Sequence, residues 1–189
     1  MMKRFLLIVL AAVFVAACGA GAPKLDVKVS DKNAPLNIKT AKAYYGNIIN
    51  TMPGQPPVQT SDHSIYLANY EMDTTSHVTM RKPLTAPEQM RVWLALSGAT
   101  GTKEDTPFKV GTYSAKADKI NSVIDISITT FADGKEKTTT FDTHSSMKKV
   151  DGEVKITEVT ADTVSGDVNL TEGDKSIKGN FTALLPKAK

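Results

Sequence analysis

The chain has 189 residues, 41% of them hydrophobic and 23% charged, with 23 basic and 20 acidic side chains and a formal net charge of +3. That balance gives no support to a nucleic-acid or polybasic lipid surface, since neither a basic run nor a basic-aromatic stripe occurs. The single cysteine, Cys18, excludes an intramolecular disulfide.

The first residues read as an export signal. Lys3 and Arg4 give a positive start, and Phe5 to Ala17 is an unbroken apolar run of 13 residues. A transmembrane helix needs about 20, so the run fits the hydrophobic region of a removable signal peptide, residues 1–17.

Val15-Ala16-Ala17-Cys18 resembles the lipobox of bacterial lipoproteins: a branched residue, two small ones, then cysteine. The resemblance covers only these first 18 residues. It implies cleavage after Ala17 and attachment of diacylglycerol to the Cys18 thiol, with palmitate-type chains holding the protein to a membrane. The freed amine can also be acylated. Two or more chains anchor stably where one binds only marginally. Gly19 stands where aspartate usually marks inner-membrane retention in Gram-negative lipoproteins, so the resemblance implies the outer membrane, or the plasma membrane in a Gram-positive cell.

Removing Lys3 and Arg4 leaves 21 basic against 20 acidic residues, so the processed chain is nearly neutral. Residues 18–24 read as the lipidated cysteine and a flexible tether, and residues 25–189 as a single β domain. Loops are expected at Asp31 to Pro35 and at Thr51 to Asp62, the second carrying three prolines. Candidate strands in this half are Leu25 to Val29, Ile38 to Tyr45, Ser64 to Tyr70, His77 to Arg81, Met90 to Leu96 and Phe108 to Tyr113. Thr85-Ala86-Pro87-Glu88 has the pattern of a single capped helical turn.

The second half fixes register. Ile124, Ile126 and Ile128 alternate with polar residues, and Asp133-Gly134 is a strong hairpin signal. Burial sets Ile126 opposite Phe141 and Ile128 opposite Thr139. A further turn at Asp151-Gly152 would pair Met147 with Ile156. A turn near Ala161 to Thr163 sets Ile156 against Val168 and Val154 against Leu170. Glu172 to Lys175 closes a hairpin with Leu170 facing Ile177, Val168 facing Gly179 and Gly166 facing Phe181. The expectation is an all-β fold, an antiparallel meander that closes as a calycin-like barrel or folds as a two-sheet β-sandwich.

Chemical signals are sparse. The register puts Asp125 opposite Asp142 with His144 two residues on, a like-charge pair that a cation, a proton or a nearby lysine would offset. Two carboxylates are few for Ca²⁺, and a solvated face is the simpler reading. His63, His77 and His144 lack ligand spacing, and no Gly-x-Ser-x-Gly elbow occurs. We therefore expect no catalytic residue, no metal set and no cofactor. Arg91 and Trp93 share a strand face, which is a patch if open and core if covered; the covered strand is the preferred reading.

The function expected is a lipid-anchored, non-catalytic envelope lipoprotein with a structural or partner-binding role. The alternative is a small hydrophobic-ligand binder. A cavity lined by Ile126, Phe141, Ile156, Val168 and Phe181 would favour the alternative, and a filled core the first. No ligand-binding set, protein partner or small-molecule partner can be named from the sequence.

Overall fold

The computed structural model describes residues 22–50, 58–103, 106–116, 120–144 and 149–187. The signal peptide, Ala17, Cys18, most of the tether and Met147 lie outside the described residues. The strands are β1 (Lys24–Val29), β2 (Lys32–Asn37), β3 (Thr40–Tyr44), β4 (Asn47–Asn50), β5 (Val58–Ala68) and β6 (Met90–Thr100). They continue as β7 (Gly111–Ser114), β8 (Ser122–Ala132), β9 (Lys135–Thr140), β10 (Asp151–Val159), β11 (Thr163–Glu172) and β12 (Lys175–Leu184).

Eight strands close on themselves in the order β11–β10–β7–β8–β6–β5–β3–β12, with β12 returning to β11. The chain is thus an all-β barrel, one of the two architectures its patterning allows. All neighbours are antiparallel except two short joints, Ser114 beside Ser122 and Leu184 beside Lys42. The β1–β2 hairpin extends the sheet from β12, while β4 adds to β5 and β9 to β8.

Turn chemistry sets much of this. Asp133 (φ 54°) and Gly134 (φ 74°) both take the left-handed conformation of a two-residue hairpin, which puts Ile128 beside Thr139 as expected. The β11–β12 pairing also follows the expected register, with Leu170 beside Ile177 and Gly166 beside Phe181. Alternate residues then point inward: Leu25, Ile65, Leu67, Val92, Leu94, Ile126, Val154, Leu170 and Phe181 join one core cluster, each no more than 2% exposed. Burying a side chain of this size contributes about 1.5–3 kcal/mol.

Several expectations are corrected. Asp151 and Gly152 make no hairpin; they lie inside β10, which pairs with β7 rather than with the strand before it. Gly152 is needed there because a Cβ would collide with the carbonyl of Asn169. The β10–β11 register lies two residues from the expected one, with Val154 beside Val168 and a bulge after Ile156. A shift of two keeps each side chain on its face, so the apolar pattern permits it. Asp31 to Pro35 is mostly strand β2, where Pro35 is tolerated because β2 is an edge. Val58 to Asp62 belongs to β5 rather than to a loop.

His77 to Arg81 is not a strand. Thr79–Arg81 forms a 3₁₀ turn, with the single Thr79 hydroxyl proton shared between the Asp73 and Ser76 carbonyls, 2.8 and 2.9 Å away. At residues 85–89 the chain makes a turn without a helix, and the Gln89 side-chain oxygen accepts from the Thr85 and Ala86 amides.

Candidate functional site

The barrel interior comes first, because the ligand-binding alternative depends on it. Ile126, Phe141, Ile156, Val168 and Phe181 are between 0 and 3% exposed and belong to one packed cluster with Leu94, Leu96 and Ile177. These side chains fill the centre with one another. At one end of the barrel, between the β1–β2 and β8–β9 hairpins, lies a groove of about 610 Å³ whose apolar lining includes Val27, Val29, Ala34, Met90 and Phe131.

Near the barrel's other end sits His63, on the inward face beside Leu96 and 2% exposed. Its ring lies 4.5 Å from that of Phe108 and 5.1 Å from that of Tyr45. Burial holds its pKa below the ordinary value, although backbone groups of Thr106, Asp62 and Pro107 partly oppose this. Neither ring nitrogen has a hydrogen bond of good geometry.

The outward face of β5, β6 and β8 carries most of the polar chemistry. Cross-strand rows there run Ala68–Arg91–Thr129, Tyr66–Trp93–Ser127, Ser64–Ala95–Asp125 and Asp62–Ser97–Ser122. Residues 69–89 fold over the first two rows and bury Met80 and Leu84. Arg91, 7% exposed, explains how they are held: Nη1 donates to the carbonyls of Met80 and Lys82 at 2.8 Å. Its Nη2 stands 4.0 Å from Glu136, whose carboxylate accepts from the Leu84 amide. The Arg91 and Trp93 face is therefore covered.

Trp93 is half-buried. Its indole N–H donates to Ser64 Oγ, Tyr66 stacks beside it, and the Arg81 guanidinium stands 4.6 Å from its ring centroid. Arg81 Nε donates to the Tyr66 hydroxyl at 2.9 Å, and that hydroxyl lies 2.8 Å from His77 Nε2. Burial raises the Tyr66 pKa, and burial followed by Arg81 lowers that of His77. A neutral phenol donating to a neutral imidazole satisfies both groups.

Asp125 and His144 meet as expected, with 3.8 Å between Oδ2 and Nε2 on an open surface. Asp142 lines the same shallow depression as Asp125 and His144, and its backbone amide donates to Glu172. Lys149 and Lys175 line the same shallow depression, and Lys175 pairs with Glu172 at 2.9 Å. The three histidines occupy three separate places, and no group of three His, Cys, Asp or Glu side chains converges among the described residues.

Sequence reasoning missed Asp62, because the prolines before it placed it in a loop. It is half-buried on β5, one strand across from Ser97. Burial, then Asp125, raise its pKa, and Arg81 opposes them. Its Oδ1 and the Ser122 hydroxyl are buried without a hydrogen-bond partner. No known protein family, curated protein or solved structure matches the chain.

Proposed function

We propose that the chain is a lipid-anchored lipoprotein of the cell envelope, held in the outer membrane (or in the plasma membrane of a Gram-positive cell) through acyl chains on Cys18. In this reading the barrel is a rigid, non-catalytic module for structure or partner binding. The packed interior is the observation that carries the non-container role, since a binding cavity and a close-packed core compete for the same volume. The lipobox residues Val15 to Cys18 carry the anchoring.

Fractionation tests the anchor. Cys18→Ser leaves a folded domain that moves from the membrane to the soluble fraction, and mass analysis of the native protein finds a lipid-modified cysteine at the N-terminus. An intact Met1, or a variant still recovered with membranes, overturns the proposal.

The groove between the β1–β2 and β8–β9 hairpins favours a second reading, that of a small hydrophobic-ligand binder whose site is at the barrel end. Native mass spectrometry of protein purified from its own envelope separates the two. A co-purifying small molecule supports the second reading, and a bare mass or a protein complex supports the first.

A further inference from the structure

We propose that His77 is an acid-sensitive latch on the segment covering the outward face of β5 and β6. Its protonation breaks the bond to Tyr66 and loosens residues 73–79 from the barrel. Residues 69–89, all among the described residues, join β5 to β6 with the 3₁₀ turn as their only regular element. Connections of this length without strands or helices of their own are uncommon in compact domains and usually functional. Two kinds of chemistry hold the segment down. Arg91 and Glu136 fasten its second half, through the Met80 and Lys82 carbonyls and the Leu84 amide. Phenols fasten the first half: Tyr44 donates to the Thr74 carbonyl at 2.6 Å, and the Tyr66 hydroxyl lies 2.8 Å from His77 Nε2.

The proton count at Tyr66 makes the second of these bonds pH-dependent. Its hydroxyl has one proton, and its oxygen accepts from Arg81 Nε at 2.9 Å, so that proton goes to His77 Nε2. A protonated His77 has no lone pair there. It must donate to the oxygen that Arg81 already uses, and the Tyr66 proton loses its acceptor. Two cations then meet at one phenol, with the edge of the Tyr44 ring beside them. The other charged groups around this corner are committed or on the far side of the phenols. Lys42 on β3 lies over the Tyr44 ring, and Asp62 on β5 and Arg91 on β6 act on Tyr66. Within the segment, Asp73 is bound to Thr75 and Lys82, and Glu71 is turned toward Thr40. Burial, and then Arg81, accordingly disfavour the proton on His77 in the closed form. Proton uptake is thereby coupled to local opening, within the range of pH that histidine is suited to sense.

Amide hydrogen exchange of the full-length protein in detergent, at pH 7.5 and pH 5 with rates corrected for intrinsic exchange, tests the latch. Protection over residues 73–79 should fall about two- to tenfold at the lower pH, the range that one lost hydrogen bond supplies. Residues 80–84, held by Arg91 and Glu136, should change less. His77→Gln, whose side-chain oxygen accepts from Tyr66 at either pH, should keep the segment protected and abolish the response. The same loss of protection in His77→Gln overturns the proposal, and so does an unchanged pattern in the wild type. An NMR titration that puts the His77 midpoint at or above the ordinary histidine value of about 6.5 overturns it equally, because the proton would then have no preference for the open form.

Discussion

The Phe181 ring occupies the space a side chain at Gly166 would need: a Cβ built at 166 stands 3.0 Å from Phe181 Cζ and collides with the Lys155 carbonyl. The two residues are cross-strand partners on β11 and β12, so the absent side chain of one makes room for the ring of the other. Gly166→Ala is therefore an overpacking change, and Gly166→Val a more severe one. Overpacking typically costs about 1–3 kcal/mol. The expected result is a lower urea midpoint for the alanine variant and a further drop for valine. Midpoints equal to the wild type would mean that the ring and the glycine do not meet.

That pair was legible in the sequence because a two-residue turn fixes β11 against β12 and leaves no freedom to slide. The β8–β9 register was legible for the same reason. Where the connection is longer, between β10 and β11, the apolar face was read correctly but the pairing was two residues away, since an even shift leaves burial unchanged. The other neighbour of β10 could not be read at all. It is β7, a four-residue strand some forty positions earlier, and periodicity carries no information on long-range pairing. In the polar region, Asp125 and His144 were found by register, whereas Asp62 was hidden because three prolines upstream gave its segment the composition of a loop.

Arg91 fastens residues 69–89 to the barrel. Its Nη1 reaches two backbone carbonyls, and those carbonyls lose their donor in Arg91→Ala. Each buried polar group left unpaired costs about 1–3 kcal/mol, enough to open this segment locally before the barrel unfolds. Trypsin should then cut after Arg81 much faster than in the wild type under native conditions, while Pro83 protects the bond after Lys82. Cleavage at the wild-type rate would show that other contacts hold the segment.

His63 should make the fold acid-sensitive. Burial holds its folded-state pKa below the ordinary histidine value of about 6.5, so at pH well above 6.5 both folded and unfolded chains are neutral at this position. As the pH falls below 6.5 the unfolded chain takes up the proton first, and stability is lost until the folded-state pKa is reached. Asp62, with its raised pKa, acts in the opposite sense and gains relative stability as it becomes protonated. The difference between the wild type and His63→Phe isolates the histidine, because the new ring can still pack against Tyr45 and Phe108. Urea midpoints between pH 7.5 and 5 should fall less steeply for the variant; parallel curves would show that His63 protonates freely in the folded barrel.

Lys175 closes a side of the molecule where, among the described residues, β9 pairs only with β8. Its Nζ donates to the Thr140 carbonyl at 2.8 Å, pairs with Glu172 at 2.9 Å and lies 5.0 Å from the Phe141 ring centroid, while Glu172 accepts from the Asp142 amide. The two side chains are only 18% and 12% exposed, so this pair is desolvated far more than a surface ion pair. Lys175→Met keeps the apolar stem but leaves the Glu172 carboxylate largely buried without its cation. Breaking a fully buried pair costs about 3–5 kcal/mol, and the remaining exposure here reduces the expected loss to about 2–3 kcal/mol. Adding Glu172→Gln removes the stranded charge while keeping an acceptor for the Asp142 amide, so the double variant should recover part of the stability lost by Lys175→Met. A urea double-mutant cycle measures this directly: coupling of 0.5 kcal/mol or more, at the lower end of the range of about 0.5–3 kcal/mol for contacting residues, fits the clasp, and strictly additive losses refute it.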